Sequence, residues 1–401
     1  MSHKNQTQTD ISNLTDPVSG AENFLRWSST AILRGGRVTK SRGIVASYPP
    51  ELGLVSAGSG NAADGGQGSL TLSLARRLLR WSVAPIALLA AQSPAFAQDA
   101  CVEVALGEFV CEDNGDPATT EQSITGDNVT VTIEDGFDID TSISGVLGLN
   151  VDVVDGIAIT QAGTSSITGG VLIENVIGAA GGGALNVTFG DVNGGVTIFH
   201  TGADSVLDTS AGTVSSLSSG IFTITDGSGD AAITTGDVIG GTNAIGIGIY
   251  SINRSGSLTI DSSAGTVSGG YRGIRAENFG SGALSITTAN VDGEIEARNY
   301  GTDLTIDTSA GAVTGGEDGI DARNEGAGDT IITTADVTGT GIIGVRVFNA
   351  ETAGNMVVDT TAGSVNANRV GIQATSRGSG DTIITTADVT ANDGSEGTGI
   401  S

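Results

Sequence analysis

One apolar position returns about every 25 residues over most of the chain, and a repeat of that length narrows the fold to a solenoid or a propeller. The column runs Val146, Val171, Val196, Ile221, Ile249, Ile274, Ile295, Ile320, Val345 and Ile372, with Ile400 opening another unit. Successive gaps are 25, 25, 25, 28, 25, 21, 25, 25, 27 and 28 residues. Gly precedes every member except Ile295, where Glu294 stands instead. Four residues after the column come Asn150, Asn175, His200, Thr225, Asn253, Asn278, Asn299, Asn324, Asn349 and Ser376.

An extended chain explains this spacing. Positions 0, +2 and +4 of a strand share one side, so Ile274, Ala276 and Asn278 face together. Strands stacked about 4.8 Å apart then place the apolar residues in an inward column and the asparagines in a ladder joined by side-chain amides. The preceding Gly is expected to permit a sharp bend.

A second pair of phrases completes each turn. Asp208 to Val214 (Asp-Thr-Ser-Ala-Gly-Thr-Val) recurs as Asp261 to Val267, Asp307 to Val313 and Asp359 to Val365. Each closing Val is followed 24 residues later by Val238, Val291, Val337 or Val389, closing phrases of the type Ile332-Thr333-Thr334-Ala335-Asp336. Thr, Val and Ile with Gly and Asp turns predict strand, turn, strand. The expected fold is all-β, a parallel β-helix of ten to eleven coils, with a core one strand-stack wide. Such a core needs few aromatics, and the sequence has 4%. Propeller blades of ~40 to 45 residues bring aromatic signatures that are absent here.

Charge divides the chain. Residues 1–97 hold nine Lys and Arg against five acids, and residues 98–401 hold eight Arg against forty acids. The division falls on Arg76-Arg77-Leu78-Leu79-Arg80, an apolar run from Trp81 to Ala91, and Ala95-Phe96-Ala97. A basic segment, a short apolar run and an A-x-A site predict a secretory signal over 76–97, cut between Ala97 and Gln98. The run is too short for a permanent membrane span. Residues 1–75, polar and aperiodic, are expected to be disordered: either an unusual extension or the product of a start codon placed too far upstream. Export allows Cys101 and Cys111 to pair, pinning a cap over 98–120 ahead of the repeats at 121–401.

The inventory excludes several chemistries. No Lys follows residue 40 and His200 is the one His after residue 97, which removes Walker loops, Schiff bases and most nucleophile triads. The acidity excludes a nucleic-acid partner. No residue is assigned a catalytic role. Periodic acids, such as Asp208, Asp261, Asp307 and Asp359, or Asp191, Asp237, Asp336 and Asp388, are expected to shape turns, because an active site needs one exceptional coil. A Ca²⁺-binding nonapeptide is approximated once, at Gly315 to Asp321 with an extra residue, so no cofactor is expected, with Ca²⁺ as the minor alternative. The outward positions carry Arg275, Glu277, Glu296, Arg298, Asp321, Arg323, Arg346 and Phe348. With Arg275 beside Glu296 and Glu277 beside Arg298, they are expected to form a solvated face of cross-strand pairs, each worth ~0 to 1 kcal/mol. The same residues are the candidate partner-contact stripe.

Taken together, the signal behind an extension, the Cys pair and the Gly/Thr/Asn/Asp-rich repeats of residues 76–401 resemble the passenger region of a bacterial autotransporter. The resemblance implies a Gram-negative exporter, a right-handed parallel β-helix and display at the cell surface or release into the medium. It also implies passage through the outer-membrane translocation machinery by way of a C-terminal β-barrel. Adhesion or biofilm formation is the role it implies, through a host-surface, glycan or self-association ligand. No barrel follows Ile400, so the sequence is expected to continue into further coils and a translocator. A secreted carbohydrate-active enzyme and an inert stalk or surface-layer component are the alternatives.

Overall fold

The computed structural model describes residues 32–34, 37–39 and 100–401, apart from 114, 144, 176–181 and 393–396. Ile32–Arg34 and Arg37–Thr39 form a small antiparallel pair, a unit separate from the one that carries the repeats. The rest of the 1–75 extension, the 76–97 signal and the Ala97/Gln98 cut lie outside the described residues.

From residue 100 onward the described chain is all-β, a parallel solenoid of about 11 turns. Each turn has three strands, and each strand pairs in parallel with its equivalent one turn away. In one wall Ile249, Ile274, Ile295, Ile320, Val345 and Ile372 stack in register. In the second, Leu258, Leu284 and Leu304 do so, and in the third Val267, Val291, Val313 and Val337. All of these apolar residues are buried, which gives a continuous core with a cross-section of one residue per wall position.

At the start of the solenoid, Cys101–Ala105 and Glu108–Cys111 form an antiparallel hairpin joined by the Cys101–Cys111 disulfide. Glu108–Cys111 pairs in parallel with Val129–Ile133, and the Cys101 amide donates to Gln122 Oε1 at 2.9 Å. The hairpin thus covers the edge of the first turn. Among the described residues no helix is long and apolar enough to cross a membrane.

Two expectations about the column need correction. Leu149, not Val146, pairs with Val171, and Val146 is 42% exposed. The offset is three residues, an odd number, so every side chain in that strand reverses face. Asn150 therefore points outward, where its amide donates to Glu121 Oε1 at 2.9 Å, and it is not part of the ladder. Nor does the Gly before the column serve mainly as a bend. Gly170 and Gly195 have positive φ, but at Gly319 an added Cβ would lie 2.5 Å from Val337 Cγ1. There the glycine is required because two walls meet at a corner with no room for a side chain.

The ladder itself runs unbroken over five coils. Thr225 Oγ1 donates to Asn253 Oδ1 (3.0 Å), Asn253 to Asn278 (3.0 Å), Asn278 to Asn299 (3.0 Å) and Asn299 to Asn324 (3.2 Å). Asn349 stacks on Asn324 but accepts from Thr330 Oγ1 (2.6 Å). Asn175 stands between Val153 and His200, so it has no amide neighbour and donates to the Asp155 carbonyl.

The periodic acids shape turns in two ways. Asp208, Asp261 and Asp359 each accept from the backbone N–H and hydroxyl two residues on, which closes a local Asx turn. The Thr361 hydroxyl, and then its amide, hold the Asp359 carboxyl below its ordinary range. Asp191, Asp237 and Asp336 instead accept from the N–H of Thr213, Thr266 and Ser364 in the following coil. A further series, Asp204, Asp230, Asp303 and Asp329, does the same at another corner.

Candidate functional site

One coil departs from its immediate neighbours, although the same four-residue turn occurs earlier in the solenoid, from Ile167 to Val171 and from Val192 to Val196. The turn between the third wall and the column takes seven residues from Val267 to Ile274 and from Val313 to Ile320, but only four from Val291 to Ile295. Gly293, at φ +132, makes the shortcut, and a Cβ there would lie 2.1 Å from Gly273 N. The longer turns on either side stand proud, leaving a cavity of about 400 Å³ lined in part by Ser268, Tyr271, Asp292, Gly293, Thr314 and Thr340. Because the turn is short, Glu294 pairs in register with Arg272, one place before the position that glycine fills elsewhere.

Next to this shortcut five arginines and five acids meet on one face. The register is the one expected, with Arg275 opposite Glu296 and Glu277 opposite Arg298, and Asp321 stands opposite Arg346 as well. The environment is not. Glu277, Glu294, Glu296, Asp318 and Asp321 are all buried, beneath arginines that remain partly exposed. The solvated face of weak pairs is therefore replaced by a desolvated network. Long arginine stems bring this about by lying over the shorter acids and covering them.

Glu296 is the hub. Its Oε1 lies 2.6 Å from Arg298 Nη2, and its Oε2 lies 2.7 Å from Arg272 Nε and 3.5 Å from Arg275 Nε. The Arg272 contact is an ion pair whose N–H is not directed at the oxygen, so it is not also a hydrogen bond. Arg275 grips Glu277 at 2.5 Å, Arg323 grips Asp321 at 3.0 Å, and Arg346 reaches Asp318 Oδ2 at 2.7 Å. Arg272 also stacks on Tyr271, and Arg275 on Tyr250, at 4.0 and 4.9 Å from the ring centroids. Phe348 lies at the margin of the face, beneath Arg377.

Two carboxyls are poorly served. Glu294 has only Arg272, 4.0 Å away, and burial pushes its pKa up to about 7 against the pull of that arginine. Burial likewise raises Asp318 to about 6, opposed by Arg346. The Glu294, Asp318 and Asp321 oxygens lie within 4.8 Å of one another. Glu294, Asp318 and Arg272 were not among the expected site residues. Two signals pointed to them: the single 21-residue gap and the single non-glycine before the column, both in this coil.

At the far end of the same strands Phe279 and Tyr300, each following a ladder asparagine, are exposed and stacked, with centroids 4.8 Å apart and planes at 14°. Comparison with protein families, with curated proteins and with solved structures finds no match. The chemistry of the chain therefore rests on its own geometry.

His200 belongs to the ladder and not to a site. It is buried at the Asn position, with Nε2 3.2 Å from the Ala203 carbonyl and Nδ1 without a partner. Burial lowers its pKa, against the Ala203 carbonyl and Asp204. A folded-state pKa below the unfolded value of 6.5 means that the unfolded chain binds the proton better. This contribution to stability is present above pH 6.5 and lost as pH falls through the folded pKa. Thermal melts from pH 7.5 to 5 are expected to show wild type losing more stability than His200→Asn. Parallel curves for the two proteins would show that His200 does not titrate on unfolding.

Proposed function

We propose that residues 100–401 are the passenger of an exported cell-surface protein of the autotransporter kind, with a structural and adhesive role in attachment, aggregation or biofilm formation. The signal-like segment at 76–97, the disulfide-capped start and the parallel solenoid support this reading. The observation that carries the adhesive part is the Phe279/Tyr300 pair beside the arginine-rich face. There a rod with thirty-nine acids and eight arginines gathers five of those arginines and two exposed rings. Aromatic and guanidinium groups supply most of the binding energy at protein interfaces. The partners proposed are outer-membrane translocation machinery, a β-barrel translocator, and a host-surface, glycan or self-association ligand at this face.

Cells displaying Phe279→Ala/Tyr300→Ala at wild-type surface level are expected to lose attachment or self-aggregation affinity by about tenfold, as truncated interface aromatics do at ~1 to 2 kcal/mol. Undiminished binding by the double variant moves the contact elsewhere. Undiminished attachment after gene deletion reduces the rod to an inert stalk or surface-layer component.

One observation favours a second reading, a polysaccharide-cleaving enzyme: Glu294, raised to about 7 as a general acid would be, directly follows Asp292 and Gly293, which line an open cavity. Against it, the Glu294, Asp318 and Asp321 oxygens crowd within 4.8 Å below the surface. Paired glycosidase carboxyls stand ~5 to 9.5 Å apart around the scissile bond. Release of reducing ends from polysaccharides by the full chain, abolished in Glu294→Gln, would establish the enzyme.

A further inference from the structure

The shortened coil brings together three carboxyls that the arginines serve unevenly. Glu294, Asp318 and Asp321 come from two adjacent coils and present carboxylate oxygens within 4.8 Å of one another. Asp321 is held by Arg323, with Nη2 3.0 Å from Oδ2 and Nε 3.3 Å from both oxygens. Arg272 turns to Glu296 at 2.7 Å and leaves Glu294 at 4.0 Å. Asp318 is only 2% exposed; Arg346 takes its Oδ2 and the Ile343 N–H also favours the charged carboxyl, while its Oδ1 accepts no hydrogen bond. A buried carboxylate oxygen without a donor costs ~1 to 3 kcal/mol or more, and it marks where a missing partner belongs.

We propose that Glu294, Asp318 and Asp321 form a calcium site, with the free Asp318 Oδ1 as a ligand. Ca²⁺ takes six to eight oxygens at ~2.3 to 2.6 Å, so any two of its ligands lie no more than ~5.2 Å apart, a limit that these three oxygens meet. Mg²⁺, at ~2.0 to 2.1 Å, requires opposite ligands near 4.2 Å and a more rigid octahedron. Three carboxylates supply the charge, and water or backbone carbonyls complete the shell. The proposal also explains why this coil forgoes the glycine: Glu294 provides the ligand that joins the short coil to Asp318 and Asp321 in the next. The site does not depend on the adhesive reading.

The full chain, stripped with EDTA and titrated calorimetrically with CaCl₂ at pH 7.5, is expected to bind one equivalent with a dissociation constant of ~10⁻⁴ to 10⁻³ M, the range of extracellular calcium modules. Binding should raise the melting temperature and be at least tenfold tighter than for MgCl₂. Glu294→Gln and Asp318→Asn should each weaken it at least tenfold, while Asp292→Asn, in the same turn, should not. Absence of saturable Ca²⁺ binding by wild type overturns the proposal. So does equal affinity for Mg²⁺, or unchanged affinity in folded Glu294→Gln and Asp318→Asn. The stoichiometry and ion preference of wild type decide the question even where a variant fails to fold.

Discussion

Replacing Asn278 by Ala is expected to destabilise the solenoid by about 2 to 4 kcal/mol, although the change removes only a small polar side chain. Asn278 is fully buried and its amide makes four hydrogen bonds. Its Oδ1 accepts from Asn253 Nδ2 at 3.0 Å and Gly280 N at 3.2 Å, and its Nδ2 donates to Asn299 Oδ1 and the Gly282 carbonyl, both at 3.0 Å. Ala leaves the Gly280 N–H and Gly282 carbonyl without these partners in a tight corner, and interrupts the amide stack between Asn253 and Asn299. Unsatisfied buried groups cost more than satisfied ones contribute, so the sum exceeds that of four average bonds at an open site. Asn150→Ala provides the contrast. Asn150 lies outside the stack, and its loss should change stability by no more than ~0.5 kcal/mol. Urea unfolding of the two variants measures the difference. Because solenoid turns contact only their neighbours, hydrogen exchange should show the Asn278→Ala loss centred on residues 249–324. Equal, small effects for both would mean that the ladder is a by-product of turn geometry.

The periodic part of this molecule was legible because periodicity and burial coincide. In Ile332-Thr333-Thr334, alternation predicts that Ile332 and Thr334 share the inner face, and both are buried. The column failed only at Val146, where a Gly-preceded Val suggested the register and Leu149, three residues later, offered the larger apolar side chain to the core. The face of charges was legible as a pairing pattern and illegible as an environment. Cross-strand neighbours follow from register alone, whereas burial depends on how Arg272, Arg275, Arg298, Arg323 and Arg346 fold over the acids. The exceptional coil was visible as a gap of 21 and a Glu in place of Gly. What the gap meant became clear only once the flanking turns were seen to stand above it.

Glu296→Ala should be the most damaging single change on that face, with an expected loss of about 3 to 5 kcal/mol. The residue is 2% exposed and stands between Arg272 at 2.7 Å, Arg298 at 2.6 Å and Arg275 at 3.5 Å. Removing the carboxylate leaves three guanidinium groups converging on a vacated and poorly hydrated space, so repulsion adds to lost attraction. Arg254→Ala tests the opposite limit. Its pair with Asp226 spans 3.2 Å between side chains about half exposed, and should contribute ~0 to 1 kcal/mol. Salt distinguishes the two mechanisms. At 1 M ionic strength the Debye length is ~3 Å, so added NaCl should restore part of the stability of Glu296→Ala by screening its arginines, while changing wild type little. A converse substitution shows what the network is for. Replacing Arg272, Arg275, Glu277, Glu294 and Glu296 together by Met, Leu, Leu, Met and Met removes these buried charges without leaving Glu277 or Glu294 behind unpaired. If the network served stability alone, this variant should equal or exceed wild type, as buried ion pairs replaced by apolar residues often do. If the charges fix the register of the short coil against its neighbours, the variant should melt at a similar temperature with a broader transition and faster hydrogen exchange over residues 291–299. A fivefold variant that unfolds as sharply as wild type and exchanges no faster would leave these charges with no part in setting the register.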